Sequence, residues 1–286
     1  MSGSPSSGPR SVIVRRLRAA GCVFAEDEAR LLVSAARTPD DLAAMVDRRV
    51  AGHPLEHVLG WAEFCGLRIA VDPGVFRPRP RTEFLVHQAA ALVRRGSTAA
   101  GTTHRPPTVV VDLCCGSGAV GAALVADLDQ VELHAVDLDP AAVRCARRNI
   151  AAAKGQVYEG DLYEPLPDTL LGRVDLLVAN APYVPTEAIG FLPPEARIHE
   201  ARVALDGGVD GLDVLRRVIA AAPRWLAPGG HLLVETSKDQ APQTVETVAR
   251  HGLIPRVASS EDLNATVVIG GTGCPQPATA VTRQGR

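Results

Sequence analysis

Two short stretches of this 286-residue chain hold residues whose types and spacing could do chemistry. The first is Asp112-Leu113-Cys114-Cys115-Gly116-Ser117-Gly118, at the end of the β-branched run Thr108–Leu113. Glycines at such a turn take positive φ without a Cβ penalty and let the backbone come close to a ligand. Gly116, Gly118 and Gly121 also satisfy the G-x-G-x-x-G spacing of dinucleotide loops, a weak match when it stands alone. Asp137 strengthens it. This residue ends a second apolar run roughly 20 positions beyond the glycines, where a carboxylate can accept both hydroxyls of a ribose. The second stretch, Asn180-Ala181-Pro182-Tyr183, follows the apolar run Val174–Ala179. By composition alone it could be a strand-ending turn. Its place in the chain behind a nucleoside-binding loop gives it a chemical reading instead.

The string Asp-x-Cys-x-Gly-x-Gly at 112–118 resembles the acidic-x-Gly-x-Gly-x-Gly loop of class I S-adenosylmethionine-dependent methyltransferases, with Cys114 at the first glycine. That resemblance implies a loop cradling the methionine part of S-adenosylmethionine, with Asp112 helping to place the amino group. Cys114 is expected at negative φ, where its Cβ is tolerated. In such folds Asp161, after a short third strand, reaches the adenine amino group.

Residues 180–183 resemble the Asn-Pro-Pro-Tyr motif of methyltransferases that act on planar nitrogens, either glutamine side-chain amides or the exocyclic amines of adenine and cytosine. Such nitrogens are poor nucleophiles because the lone pair is delocalised, so transfer requires the nitrogen to pyramidalise in line with the methyl. The Asn180 side-chain oxygen and the Ala181 backbone carbonyl can accept the two N–H hydrogens, while Tyr183 packs on the flat face. Pro182 stiffens the loop and biases Ala181 to an extended conformation. Two fixed acceptors favour the developing positive charge, and orientation toward the methyl donor supplies much of the rest. The proton becomes acidic once the methyl is attached, so no His or carboxylate has to serve as a base.

Three further stretches resemble the HemK/PrmC family, which methylates the glutamine amide of the Gly-Gly-Gln motif in class I peptide release factors. They are Gly52-His53-Pro54-Leu55-Glu56-His57-Val58-Leu59-Gly60 with Glu63-Phe64, then Phe76-Arg77-Pro78-Arg79-Pro80-Arg81-Thr82-Glu83, then His199-Glu200 with 204–212. With 180–183 they occur in the family's order, and the likeness covers roughly residues 25–270. It implies that Asn180, Ala181, Pro182 and Tyr183 hold the glutamine, with Asn180 and Tyr183 as the catalytic pair. It also implies that Asp112, Cys114, Cys115, Gly116, Ser117, Gly118, Asp137, Leu138, Asp161, Leu162 and Asn180 line the cofactor site. The implied partner is a class I release factor. The family's first Pro of the motif is Ala181 here, and the segment before His53 is shorter than the family's helical bundle, so the chain reads as a divergent member.

These residues need a scaffold. Apolar positions in 12–50 recur at helical spacing among charges. From Pro54 to Pro80 the texture turns extended, with Leu67, Ile69 and Val71 alternating with Arg68 and Ala70 as in a short hairpin. A helix is predicted over 82–95 and a loop over 96–107. Strand and helix then alternate: strands over 108–113, 131–136, 157–160, 174–179 and 231–235, helices over 119–127, from Pro140, over 211–222 and over 243–250. Asp139 is placed to cap the helix that begins at Pro140. An antiparallel pair over 253–257 and 266–269 closes the sheet. The fold class is α/β: a Rossmann-like, doubly wound class I methyltransferase sheet with a small N-terminal helical domain. The expected divisions are a flexible tail at 1–10, a helical domain at 11–52, a hairpin/helix connector and linker at 53–107, the catalytic domain at 108–270 and a second tail at 271–286.

Composition narrows the alternatives. With 30 basic and 32 acidic residues and 3% aromatics, the chain lacks the basic excess and aromatic surface of a base-flipping enzyme. A nucleic-acid adenine methyltransferase is therefore the second reading rather than the first. A dehydrogenase would leave 180–183 without a task, and a non-catalytic binder is the remaining alternative. The six cysteines at 22, 65, 114, 115, 145 and 274 form no Cys-x-x-Cys pair and no zinc spacing, so neither a metal nor a disulfide framework is expected. No apolar run reaches the length of a membrane span, and the Ser/Gly/Pro-rich start lacks an apolar signal core. A cytoplasmic monomer is the expectation.

Overall fold

The structure, a computed structural model, describes residues 9–100 and 106–273. Helices α1 (Pro9–Ala19), α2 (Ala25–Ala35) and α3 (Pro39–Val50) come first, followed by the one-turn α4 (Leu55–Leu59). Thr38 caps α3, its hydroxyl accepting the Asp41 N–H at 3.1 Å, with Pro39 inside the first turn. Leu17, Ala29, Leu32, Met45, Val46 and Val58 from these four helices form a core of their own.

The hairpin follows as β1 (Trp61–Phe64) and β2 (Leu67–Ala70), and a single 3-10 turn at Pro80–Thr82 leads into α5 (Glu83–Ala100). The stretch 53–107 does more than connect. Phe64, Ile69, Val71, Val75, Leu85, Val86, Ala89 and Ala90 all belong to the core on one face of the main sheet.

That sheet is built from β3 (Thr108–Leu113), α6 (Ala119–Asp127), β4 (Val131–Asp137), α7 (Pro140–Ile150), β5 (Gln156–Glu159), β6 (Val174–Ala179), α8 (Pro194–His199), α9 (Asp213–Trp225), β7 (Leu226–Thr236), α10 (Ala241–Arg250), β8 (Ile254–Ser260) and β9 (Ala265–Gly271). Strand order is β5-β4-β3-β6-β7-β9-β8, parallel through β7, with β9 inserted antiparallel between β7 and β8. Every residue of β3 is buried, as a central parallel strand covered on both faces requires. Its side chains alternate: Val110 faces the hairpin side, whereas Val109, Val111 and Leu113 face α9 and α10. Asp139 caps α7, accepting the Ala141 N–H at 2.8 Å.

Three expectations shift. Pro9 and Arg10, expected in the first tail, belong to α1; residues 1–8 lie outside the described part. The loop predicted from Gly96 onward is helical as far as Ala100, one Gly-Ser-Thr sequence being too little to stop a helix anchored by a long buried face. Residues 101–105 lie outside the described part. At the far end Gly271 still pairs with His231 and Ile254, while residues 274–286, with Cys274, are likewise outside it. Among the described residues no helix is long and apolar enough to cross a membrane.

Candidate active site

β3 and β6 are neighbours at the point where strand order reverses, so the turns that follow them open from the same edge of the sheet. Open α/β sheets bind their ligands there. The turn after β3 is held by the Cys115 N–H on Val136 O (3.0 Å) and the Gly118 N–H on Cys115 O (2.8 Å). Cys114 has φ +56°, which corrects the expectation of a negative value. It keeps the left-handed conformation of the glycine it replaces, at a cost of about 1–2 kcal/mol for its Cβ. Gly118 must be glycine: a Cβ there would lie 2.9 Å from Ile150 Cδ1 and 3.1 Å from the Ala146 backbone.

A cavity opens over this turn. Asp112, Cys114, Cys115, Gly116, Ser117, Asp137, Leu138, Asp161, Leu162 and Asn180 line it, while Gly118 sits behind the loop against α7 and does not. Asp112 is 2% exposed, and its Oδ2 accepts the Gly121 N–H at 2.9 Å. Burial pushes its pKa up to about 7, and the charge of Asp137 adds to burial against that hydrogen bond. Asp137 accepts the Gly116 N–H at 2.7 Å on Oδ2 and the Asp139 N–H at 2.9 Å on Oδ1. It too is raised by burial, with those N–H groups opposing. Asp161 takes a 2.7 Å ion pair from Arg217 of α9, a cavity-lining cation with no local sequence signal.

A second cavity adjoins the first. Asn180, Ala181, Pro182 and Tyr183 all line it, with Arg77, Arg79, Arg81, Leu192 and Leu205. Asn180, Pro182, Phe76 and Ala204 line both cavities, so Asn180 stands in the wall between them. Its Nδ2 donates to the Thr82 hydroxyl at 3.3 Å. The Tyr183 phenol accepts from Arg81 Nη2 at 2.7 Å and donates to Glu235 Oε1 at 3.3 Å. Burial, then the Glu235 charge, pushes Tyr183 up to about 12 despite Arg81, so at neutral pH it is a phenol and no base.

The segment 204–212 buttresses the 180–183 loop from behind. Val184 N–H bonds Leu205 O (3.0 Å), Gly207 N–H bonds Val184 O (2.9 Å), and Gln240 Nε2 bonds both Tyr183 O and Asp210 O (3.0 Å each). A Cβ on Gly211 would meet Tyr183 O at 2.3 Å, and one on Gly207 would meet Pro182 O at 2.7 Å. The other two quoted stretches also converge. Arg77 bonds Glu56 (2.8 Å) and Glu200 (2.9 Å), Arg79 takes both oxygens of Glu200 (2.8 and 2.6 Å), and Arg49 bridges Glu28 to Glu195 (both 2.7 Å). Buried beneath them, His57 Nε2 lies 2.9 Å from Val75 O.

This arrangement has relatives. The chain is 39% identical over 238 residues to a protein named release factor glutamine methyltransferase from Geobacter sulfurreducens, covering 82% of this chain and 79% of the relative. A protein of the same name from Mycolicibacterium smegmatis is 39% identical over 244 residues, covering 83% and 82%. The chain belongs to the release factor glutamine methyltransferase family. Residues 101–210 of this family member match the "Methyltransferase small domain" family. Another relative, 39% identical over 194 residues (66% of this chain, 63% of the relative), is the 4-amino-L-phenylalanine/4-methylamino-L-phenylalanine methyltransferase of Streptomyces pristinaespiralis. Among solved structures, a T. thermophilus 16S rRNA N2 G1207 methyltransferase shares the fold at TM-score 0.52 and 21% identity, over 74% of this chain and 49% of that one.

The methyl donor of this methyltransferase is S-adenosylmethionine. The first cavity fits it. Each oxygen of Asp137 holds one backbone N–H and keeps a lone pair for a ribose hydroxyl. Gly116 has φ +56° with no atom within 4 Å of a Cβ position, so the loop offers bare backbone to the cavity.

The sequence alone does not single out Arg217, Gln240 and Glu235, whose partners are distant in the chain. Arg81 and Thr82 stood inside a stretch already singled out, and their adjacency to a proline-stiffened turn was the available signal.

Proposed function

We propose that this enzyme transfers the methyl group of S-adenosylmethionine to the side-chain amide nitrogen of a glutamine in a class I peptide release factor. One observation carries the reading: Asn180 stands in the wall shared by two cavities, one suited to the donor and one open for a guest. The names of the relatives supply the guest's identity. When bound, the cofactor supplies an electrophilic methyl on a sulfonium.

The chain's own residues do the rest. Asn180 Oδ1 and the Ala181 carbonyl accept the two amide hydrogens and hold the nitrogen toward the first cavity. As positive charge grows on that nitrogen, both acceptors bind it more tightly, which lowers the barrier without a base. Tyr183, neutral and braced by Arg81 and Glu235, packs against the planar amide. Asp137 holds the ribose, Asp112 attracts the amino group, and Asp161 with Leu162 meets the adenine. The proton leaves to water after transfer. Residues 11–52 and 53–107 serve as the docking and connecting units of 108–270, and the enzyme acts as a monomer in the cytoplasm, where its substrate works.

The test is incubation with purified release factors and methyl-labelled cofactor, followed by peptide mapping. Label on the glutamine of the Gly-Gly-Gln peptide is the expected result, and label absent from every release factor peptide would overturn the reading. The Streptomyces pristinaespiralis relative motivates a second arm with 4-amino-L-phenylalanine, whose aryl amine is also a planar nitrogen. Label there alone would assign a small-molecule acceptor, and label in DNA or RNA alone a base-modifying enzyme.

A further inference from the structure

The 76–83 stretch resembles its family's segment, yet the mechanism above uses only Arg81 of it, as a brace of Tyr183. The structure places it where a further task would be useful. Pro80–Thr82 form a single 3-10 turn, closed by the Thr82 N–H on Arg79 O at 2.9 Å. Pro78 and Pro80 fix their own φ angles, and Arg79 is anchored on both oxygens of the buried Glu200 (2.8 and 2.6 Å). The turn is therefore stiff and pinned just upstream. From it, two consecutive side chains reach the acceptor loop: Thr82 meets Asn180 at 3.3 Å, and Arg81 meets Tyr183 at 2.7 Å.

We propose that Thr82 and Arg81 are positioning residues for methyl transfer, Thr82 holding the Asn180 amide against rotation and Arg81 fixing the tilt of the Tyr183 ring. This rests on the reading that Asn180 grips a planar nitrogen. The two ends of an asparagine amide are nearly equal in size and opposite in function, since the oxygen accepts and the nitrogen donates. Only the oxygen can take an N–H from the acceptor; the flipped amide would set donors against donors. Thr82 is 2% exposed and lines the cofactor cavity. Its hydroxyl oxygen takes one Nδ2 hydrogen, which leaves Oδ1 turned away from Thr82 and available to the guest. Arg81 closes a triangle with Tyr183 and Glu235, its Nε on Glu235 Oε1 at 3.2 Å. With its hydroxyl bonded on both sides, the ring cannot swing into the second cavity it lines. Neither residue exchanges a proton or touches the reacting atoms.

The experiment compares wild type with Thr82→Val, which keeps the shape and removes the hydroxyl, and with Thr82→Ser, which restores it. The first readout is the Asn180 side-chain amide signal in a ¹⁵N spectrum of the acceptor-free protein, assigned by its loss in Asn180→Ala. In Thr82→Val that signal is expected to move upfield as the hydrogen bond is lost, and in Thr82→Ser to return. The second readout is kinetic. Thr82→Val should lower kcat by roughly three- to tenfold, the worth of one orienting hydrogen bond, with cofactor Kd held within about twofold and kcat recovering in Thr82→Ser. An Asn180 signal indifferent to Thr82→Val, or a cofactor Kd that weakens as much as kcat falls, would overturn the proposal. If wild type methylates no release factor, the acceptor assignment fails on its own, and the amide signal still decides the role of Thr82.

Discussion

On the cofactor side of Asn180 two carboxylates, Asp112 and Asp137, are left without a cation, although Asp161 has Arg217, and on the acceptor side the charges are answered in advance. Asp112, buried, and Asp137, partly buried, are carboxylates held by one and two backbone N–H groups, and both are pushed toward protonation. Arg77, Arg79 and Arg81 line the other cavity, and each already has a carboxylate partner in Glu56, Glu195, Glu200 or Glu235. The difference follows the guests. A cationic, hydroxyl-bearing cofactor supplies the partners that the carboxylates lack. A neutral amide supplies no charge, so its cavity must be neutral before it arrives, and its charges are free to act as struts.

If that contrast is right, removing a strut should cost fold stability and removing an under-partnered carboxylate should not. The largest effect is expected for Glu200→Ala. Its side chain is 0% exposed and neutralises two arginines, so the variant should lose about 3–5 kcal/mol in urea unfolding. A loss under about 1 kcal/mol would mean the network is ornamental. Next, Asn180→Ala should lower kcat by about 10²–10³ while cofactor affinity stays nearly unchanged. Asp137→Ala should do the reverse, weakening cofactor binding and sparing turnover at saturation; equal effects in both variants would erase the division between the cavities.

Asp112 gives a smaller, pH-dependent signature. A cofactor ammonium favours its ionised form, so affinity should weaken by up to about tenfold per unit as pH falls below about 7. For stability the sign is opposite. With a folded pKa near 7 and an ordinary value of 3.8, this group favours folding at low pH, and that contribution fades as pH rises through 7. Asp112→Asn should thus bind cofactor more weakly at pH 8 yet melt higher; calorimetry reads both. The smallest effect is that of Cys114→Gly. Relief of the left-handed Cβ is offset by a looser unfolded chain, leaving a gain of less than about 1 kcal/mol in the melting profile.

The sheet was legible in the chain because its signals are local. A β-branched run followed by a glycine turn marks β3, and a six-residue apolar run marks β6, so the two chemical turns could be placed one after each strand. What stayed hidden depends on distance. The sequence shows no partner for Asp161, because Arg217 lies 56 residues away. Nothing near Gln240 announces that its amide holds the Tyr183 carbonyl. Cys114 was misjudged for a related reason: the conformation of the loop is set by its contacts with Val136 and α7, and the side chain at its first position conforms.

Asn149 of α7 has a consequence for how the protein behaves in a crowded solution. Its side-chain oxygen accepts the Ala70 N–H and its nitrogen donates to Ala70 O, both at 2.9 Å, while the same nitrogen reaches Ser117 O at 2.8 Å. One amide therefore imitates the next strand along the outer border of β2, at the spot where a two-stranded ribbon would otherwise recruit another chain. The hairpin ends in a stopper, and the stopper is fastened to the glycine turn, so the last outward pair of backbone groups on that border is occupied by the domain it serves.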